Sequence, residues 1–144
     1  MMDQSKHDKY IIKGPKTNLK LAPYRIRTED FVPDMETQLL HLDEEVLRGA
    51  FYLSCFWFWK GSDLVLVETH THAFDEVLTF IGTDPDSPYD LCGEIEFWME
   101  DEKLSITRSC SVFVPKGMKH CPFIVRRVDR PIFHFTTGPE GMYR

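Results

Sequence analysis

Beyond Gly49 the apolar residues of this chain alternate or fill short runs, and Gly, Pro, Asp and Ser break each run before a helical face can build up. Ala50–Trp59 carries aromatic and aliphatic residues at both parities, as expected for a strand covered on both sides. Gly61-Ser62-Asp63 turns the chain into a β-rich segment over Leu64–Thr71, and Glu76–Ile81 follows with Glu76, Leu78 and Phe80 on one face. Gly82–Gly93, with Asp84-Pro85-Asp86-Ser87-Pro88, reads as a loop. Glu94–Glu100 alternates Ile95, Phe97 and Met99 against Glu94, Glu96 and Trp98. Leu104–Thr107, Ser111–Val114, Cys121–Arg126 and Ile132–Thr136 bring the expectation to about eight short strands with no long helix. Short strands punctuated in this way predict an all-β antiparallel sandwich or barrel.

The segment before Gly49 is less regular. Residues 1–17 read as a loose arm and 18–144 as one domain, with short strands near Leu19–Leu21 and Tyr24–Arg27 between Pro15, Pro23 and Pro33. Leu39–Leu47 is compatible with a helical turn or with a strand and its bend.

A chain of 144 residues can bury a core as a single domain without disulfide or metal staples. Its net charge of −6 is the wrong sign for a phosphate backbone, so nucleic-acid binding is not expected. No apolar run reaches the roughly 18–20 residues of a membrane-spanning helix. The polar Met1–Lys9 does not resemble a secretory signal, and Cys55, Cys92, Cys110 and Cys121 show no CxxC spacing. These features predict a cytoplasmic protein with reduced thiols.

The chemistry concentrates in His70-Thr71-His72, Glu76, and Pro115-Lys116-Gly117-Met118-Lys119-His120. On an extended backbone His70 and His72 share a face, because side chains repeat every two residues. Glu76 follows after a tight turn, and the Pro-x-Gly turn sets the direction of the chain before His120. Three imidazoles and one carboxylate can hold a divalent metal and leave coordination positions open.

This pattern resembles the cupin family over roughly Trp59 to Thr136. The family's first motif, HxHxxxE followed by Gly, matches His70, His72, Glu76 and Gly82, and its second, PxGxxH, matches Pro115, Gly117 and His120. Leu64, Ser109 and Ile124 stand where the family usually has Gly, Gly and Asn, and the Glu76–Gly82 spacer is one residue short. The resemblance implies a single-domain antiparallel jelly-roll (cupin) barrel with one divalent metal ion on His70, His72, Glu76 and His120. Nitrogen and oxygen donors suit Fe or Zn first, then Mn, Ni or Co. It further implies a metal-dependent enzyme acting on a small carboxylate- or carbonyl-bearing molecule, of lyase, isomerase, decarboxylase or dioxygenase type. The alternative is a small-ligand-binding or sensor cupin without turnover. A divalent ion with three neutral imidazoles and one carboxylate keeps a net positive charge, which favours a small anionic molecule as partner. A homodimer is also expected, through the N-terminal segment or the apolar Ala50–Trp59 strand.

Several other residues remain open. His134 faces with Ile132 and Thr136 and reads as a core histidine or a cavity-lining one; His41 and His7 read as structural or solvated. Cys121 should point away from His120. Arg126, Arg127 and Arg130 are read as solvated strand ends, with anchoring of an anionic substrate as the alternative. Phe56–Trp59 suits barrel packing or a subunit interface, and Tyr89 and Asp90 could reach a cavity mouth.

Overall fold

The computed structural model describes residues 6–15 and 34–141. The expected strands near Leu19–Leu21 and Tyr24–Arg27 lie outside the described residues. Within the expected arm, Asp8–Tyr10 forms a 3-10 helix, and the carbonyl of Gly14 accepts from the His41 amide at 3.2 Å, placing this stretch beside the edge of the barrel.

Eight strands follow: β1 (Glu36–Leu42), β2 (Tyr52–Phe58), β3 (Glu76–Ile81), β4 (Asp90–Met99), β5 (Glu102–Arg108), β6 (Cys110–Val114), β7 (His120–Val128) and β8 (Ile132–Gly138). They form a five-stranded sheet in the order β1-β2-β8-β3-β6 and a three-stranded sheet in the order β5-β4-β7. Every pairing is antiparallel. The two sheets pack face to face through aromatic rings. Phe123 of β7 lies 5.9 Å from Phe58 and 5.7 Å from Phe80 across the core, and 6.2 Å from Phe97 in its own sheet. Phe80, Leu91, Ile95, Phe97, Val125 and Ile132 are fully buried in this layer. The all-β jelly-roll expectation is met.

Three local expectations change. Leu39–Leu47 resolves into the end of β1 and a turn, because the Asp43 carboxylate accepts from the amides of Glu45 (2.9 Å) and Val46 (3.1 Å) and ends the strand. The strand expected over Leu64–Thr71 does not form. That stretch runs beside β7 and meets it through isolated bridges, Val67 with Phe123 and His70 with His120. Between those two points β7 carries Pro122, which has no N–H to give to a ladder, so continuous pairing is interrupted there. The loop after Gly82 is shorter than expected, since β4 already starts at Asp90. Gly82 itself is required by packing: a Cβ there would stand 2.0 Å from the carbonyl oxygen of Asp90.

A β-bulge near Leu39 adds one residue to β1 between Gln38 and Leu40. Parity therefore shifts, and both Gln38 and His41 reach Ser54. His41 is a buried structural residue, with Nε2 2.9 Å from Asp43 and Nδ1 3.2 Å from the Ser54 hydroxyl.

Candidate metal centre

The motif residues sit at element boundaries, where the backbone can aim a side chain into the barrel. Glu76 is the first residue of β3 and His120 the first of β7. The Pro115–Met118 turn is closed by the Met118 amide on the Pro115 carbonyl, with Gly117 in the left-handed region at φ 82°. The Gly117 amide also donates to the carbonyl of His72 at 2.8 Å, tying the two motifs together. Paired backbone hydrogen bonds between His70 and His120, 3.1 and 3.0 Å, complete the junction.

One ligand atom from each of His70, His72, Glu76 and His120 falls within 4.8 Å of all the others, and these four could hold a metal ion. Their hydrogen bonds determine how they face one another. His70 Nδ1 lies 2.7 Å from the carbonyl of Glu68, and His120 Nδ1 lies 3.0 Å from that of Met118. A carbonyl only accepts, so each Nδ1 carries a proton, which in a neutral ring leaves the lone pair on Nε2. Both Nε2 atoms face the other candidate donors. His120 Nε2 is buried, has no hydrogen-bond partner among the described residues, and stands 3.2 Å from Glu76 Oε1. His72 Nε2 is 3.5 Å from the same oxygen and 3.0 Å from His70 Nε2. Ring nitrogens and a carboxylate oxygen that converge in this way are a donor set that a divalent cation can bind.

The electrostatics agree. Burial, helped by the neighbouring imidazoles, holds the His70 pKa down to about 4 against the opposing effect of the Glu68 carbonyl. Burial alone would raise the Glu76 pKa, but the contacts from His120 and His72 outweigh it and bring the carboxyl to about 2. His70 is thus neutral and Glu76 ionised, the protonation states that ligate metals. The ring of His72 stacks on Phe74 at 4.7 Å, and Phe97 lies 6.3 Å from His120, so apolar rings flank the donors.

The other candidate residues fall elsewhere. His134 is a core histidine: Nδ1 lies 3.0 Å from the Thr79 carbonyl, and the ring stacks on Phe80 (4.6 Å) and Phe58 (5.3 Å). Cys121 is buried in the apolar core, and all four cysteines are free thiols. Arg126 is paired with Glu96 (3.0 Å) and Asp63 (2.8 Å), Arg127 with Asp129, and Arg130 is exposed, which matches the solvated reading. Phe56 and Phe58 point into the barrel, whereas Trp57 and Trp59 stack on each other, 5.5 Å apart, outside it. Tyr89 and Asp90 do not reach the centre: they lie where β4 begins, and His120 pairs with Met99 where it ends.

Sequence reading missed two residues next to the centre, Tyr52 and Thr136. Both are buried, and the Thr136 hydroxyl donates to Glu76 Oε2 at 2.9 Å. The one available signal was polarity at inward positions of otherwise apolar strands, since Thr136 shares parity with Ile132 and His134.

Solved structures share this architecture. A recombinant oxalate oxidase in complex with glycolate superposes with a TM-score of 0.51 at 12% identity, covering 85% of this chain and 60% of that one. FeII HppE aligns with a TM-score of 0.49 at 12% identity, over 90% of this chain and 65% of that one. A cupin protein from Bacteroides fragilis aligns with a TM-score of 0.47 at 14% identity, over 86% and 90%. No sequence-family model matches the chain, and no curated protein matches it significantly. Among the described residues, no helix is long and apolar enough to cross a membrane. At these identities the likeness is one of fold.

Proposed function

We propose that this chain, a jelly-roll barrel with the cupin fold, is a metal-dependent enzyme that acts on a small carboxylate- or carbonyl-bearing molecule. The observation that carries the reading is the convergence of the Nε2 atoms of His72 and His120 on Glu76 Oε1, with His70 Nε2 completing the set. Iron or zinc is the first choice for this donor set. A bound divalent ion would supply Lewis-acid polarisation of a substrate oxygen, or a binding position for O₂ if it is iron.

The chain's own residues supply the rest. The Glu68 and Met118 carbonyls fix the tautomers and planes of His70 and His120. Phe74 and Phe97 lower the local dielectric, which strengthens attraction between the residual positive charge of the loaded centre and an anionic ligand. The glycolate in the solved oxalate oxidase, a small 2-hydroxy acid, accords with this ligand class.

Calorimetric titration with small 2-oxo and 2-hydroxy acids, on metal-loaded and metal-free protein, tests the proposal. Binding is expected to the loaded form alone, with turnover of at least one acid detected by mass spectrometry. Equal binding to both forms would reduce the ion to a structural role. Metal-dependent binding without turnover across the panel would make the protein a ligand-binding module.

The outer face of the five-stranded sheet supports a homodimer. Trp57 packs on Phe133 at 5.3 Å there, beside exposed Ile81; Trp59 is 43% exposed, and Phe113 is exposed further along the same face, opposite Val77. An apolar face of this kind is a contact surface for a second copy. Light scattering at micromolar concentration should give twice the 16.9 kDa chain mass, and Trp59→Glu combined with Phe113→Glu should return it to one chain. A wild-type mass of one chain would remove the dimer.

A further inference from the structure

Glu76 has two carboxylate oxygens, and they face different chemistry. Oε1 meets the imidazoles of His120 and His72 at 3.2 and 3.5 Å. Oε2 turns the other way, towards the Thr136 hydroxyl at 2.9 Å and the Tyr52 hydroxyl at 3.4 Å. The two hydroxyls are themselves 2.8 Å apart. Each hydroxyl has one proton and an ionised carboxylate has none, so the chain runs in one direction. Tyr52 donates to Thr136, and Thr136 donates to Glu76 Oε2. Neighbouring strands supply all three residues, Tyr52 from β2, Thr136 from β8 and Glu76 from β3. All three are buried, so water does not compete for these bonds.

We infer that Tyr52 and Thr136 are positioning residues that hold Glu76 to a single metal-facing oxygen, and that they thereby reserve two coordination positions for a chelating acid. The inference rests on the metal-centre reading above. Three imidazole nitrogens and one carboxylate oxygen make four donors, and a first-row ion that accepts six keeps two positions for a bidentate 2-oxo or 2-hydroxy acid. A Glu76 released from Thr136 could rotate to offer both oxygens, which would leave one position. The hydroxyl chain therefore selects for substrates that chelate over those that bind through one atom.

Cobalt(II) is the probe, because its visible absorption changes with coordination number and its affinity is measurable by competition with a chelator. Wild type and Thr136→Ser, which keeps the hydroxyl, should share one spectrum. Thr136→Val, close in shape, and Tyr52→Phe should each change cobalt affinity by about 10-fold or more and shift the visible band towards a higher coordination number. Circular dichroism of the metal-free variants separates this effect from loss of fold, and Tyr52→Phe decides alone if Thr136→Val does not fold. Affinities within twofold of wild type together with an unchanged spectrum would overturn the positioning role and leave the metal centre standing. A wild-type protein that takes up no cobalt would overturn both.

Discussion

His120→Ala and His72→Ala should each lose most of their metal, with affinity falling by more than about 100-fold, beyond what disturbance of outer-shell partners costs. Each change removes an imidazole whose Nε2 lies within 3.5 Å of Glu76 Oε1. His41→Ala is the control. That histidine is equally buried but is committed to Asp43 and Ser54, on the far side of β2 from β3 in the sheet order, so metal content should match wild type. Elemental analysis of purified protein after dialysis against a weak chelator provides the measurement. Equal occupancy in all three variants would remove His72 and His120 from the centre.

The second large effect is expected in the core. Phe80 is completely buried, lies on His134 at a ring distance of 4.6 Å and reaches Phe123 of the other sheet at 5.7 Å. Phe80→Ala therefore removes a ring that joins both layers and deprives His134 of its closest stacking partner. The expected cost is about 3–5 kcal/mol, which for a domain of this size lowers the unfolding temperature by roughly 10 °C or more. Tyr89→Ala, at a position 68% exposed, should stay within about 0.5 kcal/mol. Calorimetry of the two variants tests the contrast, and a Phe80→Ala protein as stable as wild type would mean that the sheets are not joined there.

Strand identity was legible wherever alternation coincided with turn residues, as in Glu76–Ile81 and Ile132–Thr136. It failed where pairing depended on the neighbour. Leu64–Thr71 has the composition of a strand, but whether a ladder forms there is decided by Pro122, more than fifty residues away in sequence. The meeting of His70, His72, Glu76 and His120 was legible because two short motifs encode it through local turns. Tyr52 and Thr136 were not, since nothing within either strand says that β2 and β8 lie side by side next to β3. The bulge at Leu39 hid the environment of His41 for a related reason. One inserted residue reverses the face of everything after it, and periodicity read along the chain does not reveal where that happens.

The stretch between β2 and β3 carries two of the four candidate donors, yet its β-pairing with the barrel wall consists of two isolated bridges. Backbone held by scattered hydrogen bonds in place of a continuous ladder is expected to open at a lower free energy than the sheets around it. An ion held by His70 and His72 would then have a residence time governed by how often this stretch lifts, while the barrel remains folded. Exchange of one metal for another would then be a local event whose rate is separate from global unfolding, and such a centre could be loaded or emptied without loss of the core.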